Sequence, residues 1–90
     1  MLPTKIFSFL DYSGLPLSMG LVYTARAGTV AGKGQSYPKA MYQDNQGAHP
    51  EGNPIILGTD GTATTYTDGY YSIAVYSSRG ELVATQDNIG

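Results

Sequence analysis

Three aspartates stand where a catalytic or metal-binding group of carboxylates could form. Asp44, Asp60 and Asp68 each lie in a polar, glycine-containing segment between predicted strands. If these segments met at one end of the fold, two of the acids could hydrolyse a glycosidic bond or bind calcium. In such segments, however, aspartate commonly accepts hydrogen bonds from the backbone of its own turn. We therefore expect all three to form turns, and we predict that the chain is not an enzyme.

Two other features, the Gly28–Gly34 segment and His49, resemble parts of known binding or catalytic sites but lack the residues that such sites need. The segment Gly28–Gly34 is similar to a phosphate-binding loop, but its Gly-Lys pair comes one residue too early. Gly34 occupies the position of the magnesium-binding Ser or Thr, and no helix can begin before Pro38. His49 is the single histidine and the chain has no cysteine, so we expect a solvated loop histidine. We predict no cofactor and no metal site.

The glycine and proline content determines the fold class. The 12 glycines and 5 prolines among 90 residues leave no uninterrupted stretch long enough for a typical helix. Short strands fit between these breaks, which predicts a single all-β domain over residues 1–90. We expect a small antiparallel β-sandwich, Ig-like or barrel-like, with Gly/Asp turns. The predicted strands are Ile6–Leu10, Leu17–Ala27 with a bulge at Gly20, Met41–Asp44, Pro54–Leu57, Thr62–Thr67, Tyr70–Ser77 and Glu81–Thr85.

The last third of the chain predicts a three-stranded meander. Its strands would be joined by a hairpin turn at Asp68-Gly69 and a second turn at Ser78–Gly80. In the middle strand, Tyr71, Ile73 and Val75 alternate toward the core. Tyr70 and Tyr76 fall on the opposite face with Ser72 and Ala74. That face is either an interface, a second core layer or exposed to solvent.

The net charge and the small size of the chain indicate which kinds of partner it binds. A net charge of −2 argues against nucleic acid, and no apolar run approaches the length of a membrane span. The charged residues among 1–39 are mostly basic and those among 40–90 mostly acidic. Attraction between these opposite charges could bring neighbouring copies together. A chain this small buries a thin core and has no disulfide to reinforce it, so oligomerisation is expected.

Three segments in the second half resemble the amino-terminal virion-anchoring domain of bacteriophage tail spikes and tail fibres. A Tyr-x-Asp segment precedes an Asn-Pro-aliphatic strand and an Asp-Gly turn, and an Asp-Gly-x-Tyr strand then leads through Ser-x-Gly to a Leu-Val strand. These features lie in 38–44, 53–61 and 68–83, within a match over about residues 20–88. The resemblance implies a small β-sandwich, usually trimeric, which attaches a receptor-binding fibre to the tail. It leaves open whether a longer fibre follows Gly90.

The sequence therefore predicts a structural virion protein, made in the bacterial host cytoplasm, that binds itself as a homotrimer and other tail proteins. Residues 1–15 would form an arm that docks to the tail together with the 26–39 loop. The interface candidates are Phe7, Phe9, Arg26, Lys33, Tyr66, Tyr70 and Tyr76. Two alternatives remain. One is a glycan-binding sandwich with two exposed coplanar tyrosines beside a carboxylate, and the other is a small hydrolase that uses Asp60 with Asp68 or Asp44.

Overall fold

The fold consists of six strands and no helix. The computed structural model describes residues 1–90. The strands are β1 (Thr4–Ser8), β2 (Leu21–Arg26), β3 (Ile55–Ile56), β4 (Thr62–Tyr66), β5 (Tyr71–Tyr76) and β6 (Leu82–Ile89). Every strand pair is antiparallel. The predicted small antiparallel all-β fold is confirmed.

The strands form two sheets, and the predicted three-stranded meander is wrong. One sheet has the order β3-β2-β5-β6, and the other contains only β1 and β4. The Asp68-Gly69 turn therefore carries the chain from one sheet to the other and does not close a hairpin. β5 is instead flanked by β2, because Val22 and Val75 pair at the centre of the buried sheet. Only the β5–β6 hairpin, closed by the bond from Ser77 N to Glu81 O, forms as predicted.

The core lies between the two sheets. β5 contributes Tyr71, Ile73 and Val75 to it, as their alternation predicts. The other fully buried members are Phe7 of β1, Val22 of β2, Ile55 of β3, and Leu17, Met41 and Leu57 from the connections. Leu57 is 1% exposed, so truncating its side chain would leave a cavity.

The face of β5 that points away from the core is also covered. Ser72 and Ala74 are buried, because the 28–36 loop lies across them. The Ser72 hydroxyl is 2.9 Å from the Arg26 carbonyl oxygen and 3.0 Å from that of Thr29. At the end of the loop, Gln35 Nε2 donates to the Thr24 carbonyl at 2.7 Å. The loop thus acts as a third layer, and Ser72 and Ala74 belong to a second core layer.

Several predicted boundaries shift. The first strand begins at Thr4 and not at Ile6, and the second begins at Leu21 and not at Leu17. Gly20 is not a bulge: it lies in a turn before β2, where its N–H donates to the Leu17 carbonyl. A Cβ there would lie 2.8 Å from Leu17 Cδ2 and 3.0 Å from Leu57 Cδ1, so a side chain at this position would have to displace both leucines. Of the predicted strand Met41–Asp44, only Tyr42 pairs, with Tyr66 and Pro50.

Candidate functional site

Two of the three aspartates close turns. The Asp44 carboxylate accepts the N–H groups of Ala48 and His49 at 3.0 Å, and Asp60 accepts both the N–H and the hydroxyl of Thr62. These hydrogen bonds hold the pKa of both carboxyls below the ordinary aspartate value, mainly through His49 N–H for Asp44 and the Thr62 hydroxyl for Asp60. A carboxyl that must donate a proton has the opposite shift. The geometry thus assigns both residues to their loops.

The third aspartate does not complete a catalytic pair with Asp60. Asp60 precedes β4 and Asp68 follows it, and the five residues of that strand span about 16 Å. Carboxylates that hydrolyse glycosides lie about 5–9.5 Å apart. The alternative in which Asp60 and Asp68 share one end of the fold therefore does not fit this geometry.

His49 lies in the loop that Asp44 organises. Its side chain is 74% exposed, and its Nδ1 atom is 3.8 Å from an Asp44 oxygen. No group of three or more His, Cys, Asp or Glu side chains in the chain could hold a metal ion. The chain also contains no helix that is long and apolar enough to cross a membrane.

The tyrosine candidates divide between the surface and the second core layer. Tyr76 is half-buried, and its ring meets that of Tyr23 edge to face at 5.4 Å and 80°. Its hydroxyl lies 2.8 Å from where a Cβ on Gly32 would be, so it packs under the 28–36 loop. Tyr70 precedes β5 and is exposed, whereas Tyr66 is half-buried on β4, where its backbone pairs with Tyr42.

The remaining candidates lie in three environments. Phe7 is a core residue, and Phe9 stacks on it with ring centroids 6.2 Å apart. Arg26 is exposed at the end of β2, and Lys33 is exposed in the 28–36 loop. The buried Phe7 is therefore inaccessible to a partner, whereas the exposed candidates are accessible. Their role in an interface remains a prediction.

The sequence did not predict that β1 would form an open edge of the small sheet. Phe9 N donates to the Gly61 carbonyl, and Thr67 N donates to the Pro3 carbonyl. Bonded pairs alternate along an antiparallel ladder, so Lys5 and Phe7 bond to β4. The N–H and C=O groups of the other three residues, Thr4, Ile6 and Ser8, point away from β4, and no further strand pairs with β1. The Ile6 side chain is 72% exposed.

The middle of the inner face of β6 is uncovered. Ile73 pairs with Gln86 and Val75 with Ala84, and paired residues project to the same face of a sheet. Ile73 and Val75 are buried, but Gln86 and Ala84 are exposed. The Phe7 and Tyr71 rings meet at 6.3 Å, so β1 packs above β5, and Val83 and Ile89 near the two ends of β6 also pack against the core. Between them, the exposed Ala84 and Gln86 have no layer above them. We call the space bounded by the β1 edge and this face of β6 the β1–β6 recess.

A separate polar cleft of about 340 Å³ lies at the end of the fold where β1 and β5 both terminate. It separates the turn after β1 from the turn after β5, and its lining includes Asp11, Tyr12, Arg79 and Glu81. Tyr12 is 87% exposed. The two turns were predicted from Asp11–Gly14 and Ser78–Gly80, but nothing in the sequence indicates that they face each other. We call this the Tyr12–Arg79 cleft.

No known family model matches the chain, and no curated protein matches it significantly.

Proposed function

We propose that this chain is a structural domain of a bacteriophage tail, which anchors a receptor-binding tail fibre or spike to the virion. The proposal rests on the resemblance of its turn and strand segments to that family. The observation that best supports a role in assembly is the β1–β6 recess, where backbone groups of one sheet edge lie unpaired beside the uncovered middle of β6. An open sheet edge of this kind can pair with a strand of another chain.

Side chains on the surface support the same role. Exposed large hydrophobic residues include Ile6, Leu10 and Leu15 near the start of the chain, and Val30 and Tyr37 in or next to the loop that crosses β5. These lie within the N-terminal arm and the 26–39 loop that we expect to dock to the tail. Burial of such apolar surface favours association, and tyrosine is enriched among the residues that dominate binding at interfaces.

The test is to measure the mass of the purified chain by light scattering, and its binding to the purified virion proteins encoded in the same genome. We expect self-association, as a homotrimer by the family resemblance, and binding to one tail protein. A chain that stays monomeric at high concentration and binds none of those proteins would refute the proposal.

A second candidate, glycan binding, is favoured by the Tyr12–Arg79 cleft. The exposed Tyr12 ring offers a stacking face for a sugar, and Arg79, Asp11 and Glu81 offer hydrogen-bonding groups for its hydroxyls. The tyrosine pair whose rings are in contact, Tyr23 and Tyr76, is half-buried and meets edge to face, so it does not supply the exposed coplanar pair that this hypothesis predicts.

A glycan array tests this candidate. Binding that is lost in Tyr12→Ala and Arg79→Ala but kept in Tyr37→Ala would establish the site. An array on which the chain binds no glycan would exclude it.

A further inference from the structure

We infer that the β1–β6 recess is filled by β6 of a second copy of this chain, in a two-fold pair in which each copy's β6 lies beside the other's β1. This inference rests on the proposed assembly role and names the surface and the partner, but it replaces the trimer that the resemblance implies with a two-fold pair. It follows from the offset between the two sheets: β1 packs above β5, and the middle of β6 has no layer above it. A second copy turned over about an axis parallel to the strands places its β6 in the recess.

The strand directions fit this arrangement. β1 and β5 both end at the Tyr12–Arg79 cleft, so they run the same way, and β6 runs opposite to β5. A two-fold axis parallel to the strands preserves direction, so β6 of the second copy runs antiparallel to β1. The contact is isologous, because the same rotation places the first copy's β6 beside the β1 of the second. Both sheets would then continue across the pair.

The register follows from the bulges. The pairing of β6 with β5 is irregular on either side of Ala84–Gln86, which leaves these three residues as its regular stretch. Placed opposite the centre of β1, Thr85 of the second copy pairs with Ile6, whose N–H and C=O are free. On the inner face, Ala84 of the second copy then lies opposite Phe7, and Gln86 of the second copy lies opposite Lys5.

The charges are also compatible with this contact. The only charged residue of β1 is Lys5, and the only charged residue of β6 is Asp87. In this register Lys5 lies opposite Gln86 and Asp87 opposite Thr4, so no like charges face each other. The pair would also cover Ala84 and Gln86, whose side chains point toward the core side without a layer above them.

Cysteine cross-linking tests the register directly. The chain has no cysteine, and bonded antiparallel partners have Cα atoms about 5.5 Å apart, which suits a disulfide. We expect the Ile6→Cys, Thr85→Cys double variant to oxidise to a covalent dimer of about 19 kDa, twice the 9.5 kDa chain. Each single variant should give at least about tenfold less dimer, as should Ile56→Cys, which is exposed elsewhere. Equal cross-linking in the double and single variants would overturn the register.

Proline substitution tests the edge without cysteines. Ile6→Pro removes an N–H that the β1–β4 ladder does not use, and we expect it to weaken self-association at least about tenfold in sedimentation. Thr64→Pro is the matched control: Thr64 pairs with Ile6 across the same sheet, and its N–H points away from β1. Circular dichroism checks that both variants fold.

The outcomes separate this inference from the proposed function. A pair that Ile6→Pro dissociates and Thr64→Pro preserves supports the inference. A trimer whose mass is unchanged by Ile6→Pro would overturn this pairing but support the assembly role. A monomer that still binds a tail protein would overturn the pairing alone.

Discussion

The close approach of three backbone segments at Gly61 gives a prediction that the structure makes quantitative. Gly61 has a φ of +75°, and a Cβ there would lie 2.7 Å from Leu17 N and 2.8 Å from Phe9 O. Those two atoms form a hydrogen bond with each other, of 2.9 Å. A side chain at Gly61 must therefore displace backbone and not merely a flexible group.

The cost of Gly61→Ala has two parts. An alanine in left-handed backbone costs about 1–2 kcal/mol. Separating Leu17 from Phe9 costs about 1 kcal/mol for the hydrogen bond, and a further 1 kcal/mol or so for shifting the buried Leu17 side chain. We expect a total of about 3–4 kcal/mol, a large fraction of the stability of a domain this small.

The matched control is Gly80→Ala. Gly80 has a φ of +89°, but nothing lies within 4 Å of its Cβ position, so only the backbone cost of about 1–2 kcal/mol applies. Urea unfolding followed by circular dichroism measures both variants at unchanged m-value. We expect Gly61→Ala to lose about 2 kcal/mol more than Gly80→Ala. Equal losses would show that the Phe9–Leu17 contact does not hold Gly61 in place.

Three further predictions concern stability. Leu57→Ala should lower the free energy of unfolding by about 2–5 kcal/mol by leaving a core cavity, and a loss below 1 kcal/mol in urea would contradict this packing. Tyr76→Phe should cost less than about 1 kcal/mol because the ring stays on Tyr23, whereas Tyr76→Ala should cost about 3 kcal/mol or more, and equal losses would place Tyr76 outside the second core layer. The pKa values of Asp44, Asp60 and Asp87 are lowered in the folded chain by backbone or hydroxyl donors, for Asp87 chiefly Gly28 N–H. The stabilisation by these carboxylates is present above their unfolded pKa of 3.8 and is lost as the pH falls through their lower folded pKa values. The melting temperature should therefore decrease once the pH is below about 4. A melting temperature that stays constant down to about pH 2 would refute this.

The turns and strands were accessible from the sequence because they depend on local chemistry. Asp11 accepts the N–H groups of Ser13 and Leu15, and the Ser78–Gly80 turn closes the β5–β6 hairpin as its residues predict. The alternation of Tyr71, Ile73 and Val75 likewise identified the core face of β5. The Asp68-Gly69 turn was predicted to close a hairpin, but it connects two sheets.

The pairing order was not accessible, since alternation along a strand does not say which strand lies beside it. β4 pairs with β1, more than fifty residues away, and its threonines suit either neighbour. The sequence did not identify the second layer over β5 either, because that layer also depends on a contact between distant segments. Ser72 reads as a surface residue, but its hydroxyl is satisfied by two carbonyl groups of the chain that crosses it. The recess and the cleft both depend on such distant contacts, so neither could be predicted.

The pairing of β1 with β4 also bears on how the chain acquires its structure. The only strand pair joined by a short turn is β5–β6, whereas β1 must find β4 and β2 must find β5 across long intervening segments. Folds dominated by such distant pairings reach the native state in milliseconds to seconds, against microseconds for many helical domains. During synthesis, β1 and β2 emerge well before their partners and must wait unpaired on the ribosome. The β5–β6 hairpin is therefore the natural nucleus, and substitutions in its 77–81 turn should slow refolding more than equally destabilising substitutions near β1.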